Sequence, residues 1–188
     1  MKLRFRSDDV PKLTLVCLAA GSLLAAPARA QAPSEYQVKA VFLYNFAKFV
    51  EWPEQGNDPF DLCIVGDDPF GRILEDTVKG KTLQGRAIGI NRIRAREKVQ
   101  GCQIAFIGAA ESGRTRWLLD SIREPGTLTV GESPGFARDG GIINFVIEDS
   151  RVHFEINVDA ARRAHLQISS KLLSLAKIVT EREHGRGN

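Results

Sequence analysis

The chain has 188 residues, of which 43% are hydrophobic and 26% charged, and 26 basic residues against 23 acidic ones give a formal charge of +3. An apolar fraction of that size excludes a disordered chain, and the length suits one domain with a real core better than two. The charge excess, taken alone, would suggest an acidic or nucleic-acid partner, but its placement removes that reading.

Lys2, Arg4, Arg6 and Lys12 precede an apolar run from Leu13 to Ala26 that ends in the small-residue triplet Ala28-Arg29-Ala30. These are the three parts of a cleavable secretory signal over residues 1–30, so cleavage is expected after Ala30 and the working form is expected outside the cytoplasm. The run is shorter than the roughly twenty residues a membrane-spanning helix needs. Cys17 follows Leu15 and Val16 rather than a small residue, which argues against lipidation. Residues 1–30 hold five basic and two acidic residues, leaving 21 of each in the other 158. The mature domain is therefore balanced and offers no basic face to nucleic acid.

From Ser34 onward, Val38, Val41, Phe42, Phe46 and Phe49 recur at helical spacing, with Ser34 as the cap and Trp52-Pro53 as the stop. A turn-rich stretch, residues 54–59, leads into the apolar run 60–66, which predicts a buried strand. Asp67-Asp68-Pro69 then reads as a cap with proline at the first helical position. Further strands are expected over 87–93, 103–107 and 127–130, with a helix over 114–122. Strands alternating with helices predict a largely parallel sheet. Residues 135–141 read as flexible. Strands over 142–147 and 152–158 flank Glu148-Asp149-Ser150-Arg151 as an antiparallel hairpin. Helices are expected over 160–165 and 169–179, and residues 180–188 form a polar tail. The expected fold is thus α/β, a single domain over residues 31–179, with a mixed, mostly parallel sheet flanked by helices and a C-terminal antiparallel hairpin.

Few residues carry a chemical signature. Gly108-Ala-Ala-Glu-Ser-Gly113-Arg114-Thr115 has nearly the phosphate-loop spacing, but Arg114 stands where that motif needs lysine. Amides at a helix start together with Arg114 leave room for an anionic ligand and no more. His153, His165 and His184 lie far from any nucleophile in sequence, so no catalytic residue, metal site or cofactor is expected. Cys63 and Cys102, the two cysteines beyond the leader, are expected to form a disulfide in an oxidising compartment, the alternative being two buried thiols. Glu155 and Asn157 share one face of an otherwise apolar strand. That face is open either to solvent or to a partner. In the second case Phe145, Phe154, Glu155, Asn157, Ile168 and Leu172 are the candidate partner-binding residues, and Glu155→Lys should weaken capture without changing the melting temperature.

Three stretches carry a family resemblance: Tyr36-Gln-Val-Lys-Ala-Val-Phe-Leu-Tyr-Asn-Phe-Ala-Lys-Phe-Val-Glu-Trp-Pro53, Gly140-Gly-Ile-Ile-Asn-Phe145 with Phe154-Glu-Ile-Asn157, and Ser169-Ser-Lys-Leu-Leu-Ser-Leu-Ala176. Together they resemble the YfiR-like periplasmic regulatory proteins from Tyr36 to Val179. The resemblance implies an exported α/β domain, often a homodimer. It also implies a repressor that binds the periplasmic domain of a membrane diguanylate cyclase and so lowers cyclic-di-GMP and biofilm formation without catalysis. It supports the Cys63–Cys102 pairing. No cysteine follows Cys102, so a second bridge known in the family is missing, and the segment 131–141 is expected to be more mobile. A competing reading is a periplasmic small-molecule binder with its pocket at the strand ends near Gly66 or Gly108.

Overall fold

Ser34 starts the first helix as its position in the sequence dictates. Its side chain accepts the Gln37 amide at 3.3 Å, while the Gln37 side chain accepts the Ser34 amide at 2.6 Å, a closed capping box at the head of α1 (Glu35–Phe49). The structure, a computed structural model, describes residues 33–53, 58–94, 96–122 and 125–182. The proposed leader and the end of the polar tail lie outside them. Among the described residues no helix is long and apolar enough to cross a membrane.

After α1 the chain forms β1 (Val50–Glu51), β2 (Phe60–Val65), α2 (Arg72–Val78), β3 (Thr82–Leu83) and β4 (Arg86–Ile93). Next come β5 (Ile104–Ile107), a 3₁₀ segment (Ala109–Arg114), α3 (Thr115–Ser121), β6 (Leu128–Gly131), and the hairpin β7 (Ile143–Glu148) and β8 (Arg151–Asn157). The chain closes with α4 (Val158–Arg163), β9 (Gln167–Ile168), α5 (Ser170–Leu173) and β10 (Lys177–Val179). Eight strands form one sheet in the order β10-β8-β7-β6-β5-β2-β4-β3, and β1 pairs with β9 in a small second sheet. Strands β4, β2, β5, β6 and β7 run parallel; β7 and β8 form the antiparallel hairpin, and β10 lies parallel to β8.

The central strands are largely apolar because both of their faces are covered. Leu62, Ile64, Ile104, Phe106, Leu128 and Val130 point into a core shared with Ala40, Leu43 and Phe46 of α1. The alternate residues Cys63, Val65, Ala105 and Ile107 point the other way, into a second core with Leu118 of α3 and Phe136. Cys63 and Cys102 are joined within that second core, with their Cα atoms 5.9 Å apart. A crosslink spanning 39 residues stabilises by about 2–4 kcal/mol. Replacing both cysteines by alanine is expected to lower the unfolding free energy by that amount in denaturant titrations. An unchanged midpoint would show that the bridge contributes nothing.

The hairpin forms where expected: Glu148 pairs with Arg151, and Asp149 and Ser150 both take positive φ, 49° and 59°, as a tight two-residue turn requires. Three expectations change. Asp68 caps a turn, accepting the Phe70 and Gly71 amides, and α2 begins only at Arg72. The helix expected over 169–179 ends at Leu173. The β-branched pair Ile178-Val179 instead extends as β10 beside β8. Residues 131–141, expected to be mobile, form a packed turn: Phe136 is fully buried, and Asn157 Nδ2 donates to the Ala137 carbonyl at 2.8 Å.

Candidate functional site

Open α/β sheets take ligands where neighbouring crossovers diverge, at the carboxyl ends of the strands. Here β2 lies between β4 and β5, so that place falls beside Gly66 and Gly108. The chain fills it with its own side chains. Glu132, just after β6, accepts the Ala109 amide at 3.0 Å and the Lys39 ammonium at 2.6 Å; Tyr36 donates to it at 3.4 Å. Lys39 is 3% exposed and also pairs with Glu35. Glu111 pairs with Arg114 and packs over Gly66, where even a Cβ would lie 2.3 Å from its Oε1. Phe70 closes the rest against Tyr36 and Phe106. The amide and guanidinium expected to hold an anion are thus held by two internal carboxylates. Beside Gly66 a small cleft of about 360 Å³ remains open, lined by Arg92, Ile93, Arg94 and Glu97.

Burial alone would lower the pKa of Lys39, but its hydrogen bonds to Glu132 and Glu35 outweigh that and raise it above the usual lysine value. This cluster ties the start of α1 to the end of β6. It was missed because its members are 93 residues apart in sequence, and nothing local marks Glu132 as the partner of Lys39.

The six candidate partner-binding residues come together in one region, but mostly below its surface. Phe145 and Phe154 face each other across the hairpin and pack on Phe42 and Phe46 of α1. Leu172 is buried in the same core, and Ile168 is half-buried where β9 meets Val50. Glu155 and Asn157 do share the opposite face, yet the turn 133–141 covers it. Asn157 is fully buried: Nδ2 holds Ala137, Oδ1 caps α4 by accepting the Ala160 amide at 2.9 Å, and its own amide donates to Ile142. Glu155 is 6% exposed, 3.5 Å from Arg138 and 3.8 Å from Lys177. The expectation for Glu155→Lys therefore changes. A third cation beside Arg138 and Lys177 replaces the carboxylate that faces them, so the substitution should destabilise the fold rather than act on capture alone.

Around this buried set two large apolar side chains reach solvent beside the exposed Lys177. Leu175 is 72% exposed and Ile178 51%. Ile178 lies in register with Ile156 and so projects from the α1 side of the sheet, at its outer edge. Val41, 49% exposed, flanks the half-buried Phe42 on α1. Leu175 is exposed because the helix expected over 169–179 stops two residues before it.

A separate cleft of about 710 Å³ lies between α3, β6 and α4. Arg116, Asp120, Asp139, Arg163 and Glu181 line it, and Arg163 is already paired with Glu181. A family model described as YfiR/HmsC-like matches residues 36–177, which takes in α1, the whole large sheet as far as the start of β10, and the hairpin.

Proposed function

The chain belongs to the YfiR/HmsC-like family, and from that premise we propose that it is an exported, non-catalytic regulator of cyclic-di-GMP signalling. It binds the periplasmic sensor region of an inner-membrane diguanylate cyclase and holds that enzyme in its inactive state, which lowers cyclic-di-GMP and biofilm formation. The contact is made by the C-terminal edge of the sheet. Leu175 and Ile178 supply exposed apolar surface there. Phe145, Phe154, Glu155, Asn157, Ile168 and Leu172 form the rigid layer that positions it.

The observation that carries this reading is the pair Leu175 and Ile178, large apolar side chains left in solvent on a well-packed edge. Exposed apolar groups clustered on a surface mark interaction sites, and binding energy concentrates in a few such residues. At Gly108 the Ala109 amide is taken by Glu132, which supports binding to a protein over turnover of a phosphorylated substrate there.

Leu175→Asp and Ile178→Asp are each expected to weaken capture of the sensor region at least tenfold. Because both side chains are already exposed, the unfolding free energy should move by no more than about 0.5 kcal/mol. Biolayer interferometry on the variants, run beside their thermal melts, checks this. Unaltered affinity in both would remove the edge from the contact.

A further inference from the structure

The cleft between α3, β6 and α4 has its cause in the sheet. Strand β6 starts at Leu128, but it first pairs with β7 at Val130, opposite Ile143. Before that pair the two strands part, and the Ile142 amide donates to the Thr129 hydroxyl at 3.0 Å instead of to a ladder carbonyl. The opening therefore lies at the amino ends of β6 and β7, the end of the parallel strands away from Gly66 and Gly108. At about 710 Å³ it has the size of a site for a small organic ligand.

Floor and rim differ in chemistry. Ile122, Ile142 and Ala160 are buried and make the floor apolar, with Leu119 and Ala164 beside them. Thr129, 5% exposed, lies among them. Its hydroxyl already accepts the Ile142 amide, which leaves its own proton to donate. The charges around the rim come with both signs together. Arg163 pairs with Glu181, Asp139 lies 3.7 Å from Arg182, and Arg116 and Asp120 stand one turn apart on α3. A ligand of one charge would part such a pair and leave the opposite charge behind, whereas a zwitterion exchanges one internal pair for two. Arg163 and Glu181 suit that exchange, because their side chains are 56% and 41% exposed. Ion pairs this open to water contribute little to stability, so giving this one up costs the fold little.

We propose that this cleft binds a short apolar peptide with both termini free, about two residues long. Its carboxylate takes the Arg163 guanidinium through two parallel hydrogen bonds, and its ammonium takes Glu181. Its side chains lie on the apolar floor, and the Thr129 hydroxyl donates to its peptide carbonyl. Gly140 leaves room beside Glu181: it takes φ 109°, and a Cβ there would come within 3.5 Å of Glu181 Oε1 and 4.0 Å of Leu119. The charges set the length. An extended chain adds about 3.3–3.6 Å per residue, so a longer peptide carries its termini beyond two side chains that now touch. A single amino acid carries the same charges but too little apolar surface to cover an opening of this size. The site shares no residue with the sensor contact proposed above, so either can fail without the other.

Isothermal titration of the mature chain with dileucine tests this. One-to-one binding is expected, at least tenfold tighter than that of free leucine or of N-acetyldileucine amide, which lacks both charges. Arg163→Ala and Glu181→Gln should each weaken dileucine at least tenfold, with thermal melts inside the range of ordinary surface substitutions. Ala164→Phe, which fills the floor, should abolish binding. No saturable binding of dileucine, equal affinity for the capped peptide, or affinity untouched by both charge substitutions would overturn the proposal. Should Ala164→Phe fail to fold, the two charge variants decide, since both side chains they alter are exposed.

Discussion

Phe136→Ala is expected to destabilise the protein by about 3–5 kcal/mol, the usual cost of removing a fully buried aromatic ring. The reason lies in two glycines. A Cβ at Gly131 would lie 2.4 Å from the Phe136 ring, and one at Gly141 would lie 2.1 Å from it. The ring is wedged between the end of β6 and the approach to β7, in the core that also holds the disulfide. From that anchor the turn reaches the hairpin: Asn157 holds Ala137, and Glu155 faces Arg138. Losing the ring leaves a cavity and loosens the cover over two buried polar side chains. Gly141→Ala is expected to act in the same direction by forcing the ring out of place. Urea unfolding monitored by circular dichroism checks both, and a loss below about 1 kcal/mol, within the range of an ordinary substitution, would mean that the turn is held from elsewhere.

Glu132→Ala is expected to cost about as much, roughly 3–5 kcal/mol, because it strands a buried ammonium. Lys39 keeps Glu35, but Glu35 lies near the surface, whereas the Glu132 side chain is 6% exposed. The Ala109 amide and the Tyr36 hydroxyl lose their acceptor in the same step. Replacing both members, as Lys39→Met with Glu132→Leu, should restore part of the loss, since a buried pair exchanged for apolar groups is often close to neutral. The pH dependence has a definite sign. The pKa of Lys39 is raised in the folded state, so its contribution is complete below the unfolded lysine value of about 10.4 and is lost as pH rises through the folded value. Wild-type stability should therefore fall more steeply above about pH 10.4 than that of the double variant.

Several short-range patterns were legible in the sequence. The cap at Ser34, the apolar run 60–66 and the tight hairpin turn at Asp149-Ser150 are local devices, and each appears where the residues place it. The disulfide needed only a count of cysteines and a compartment. Features made by distant residues were not legible. Glu132 finds Lys39 across most of the domain, and the glycines at 131 and 141 read as flexibility until Phe136 is seen between them. Period-two reasoning set Glu155 and Asn157 on one face correctly. It could not tell that a turn folds over that face and buries both side chains. At the C-terminus helical spacing of leucines outweighed the β preference of Ile178-Val179, which concealed both β10 and the exposure of Leu175.

The account turns on what the C-terminal edge binds. The most direct measurement is the binding isotherm of the mature chain for the periplasmic sensor region of a membrane diguanylate cyclase from the same cell, taken beside Leu175→Asp/Ile178→Asp. Saturable binding by the wild type that the double substitution abolishes, with its melt unchanged, is the predicted result. No binding to that sensor region, or binding that survives the double substitution intact, would contradict it.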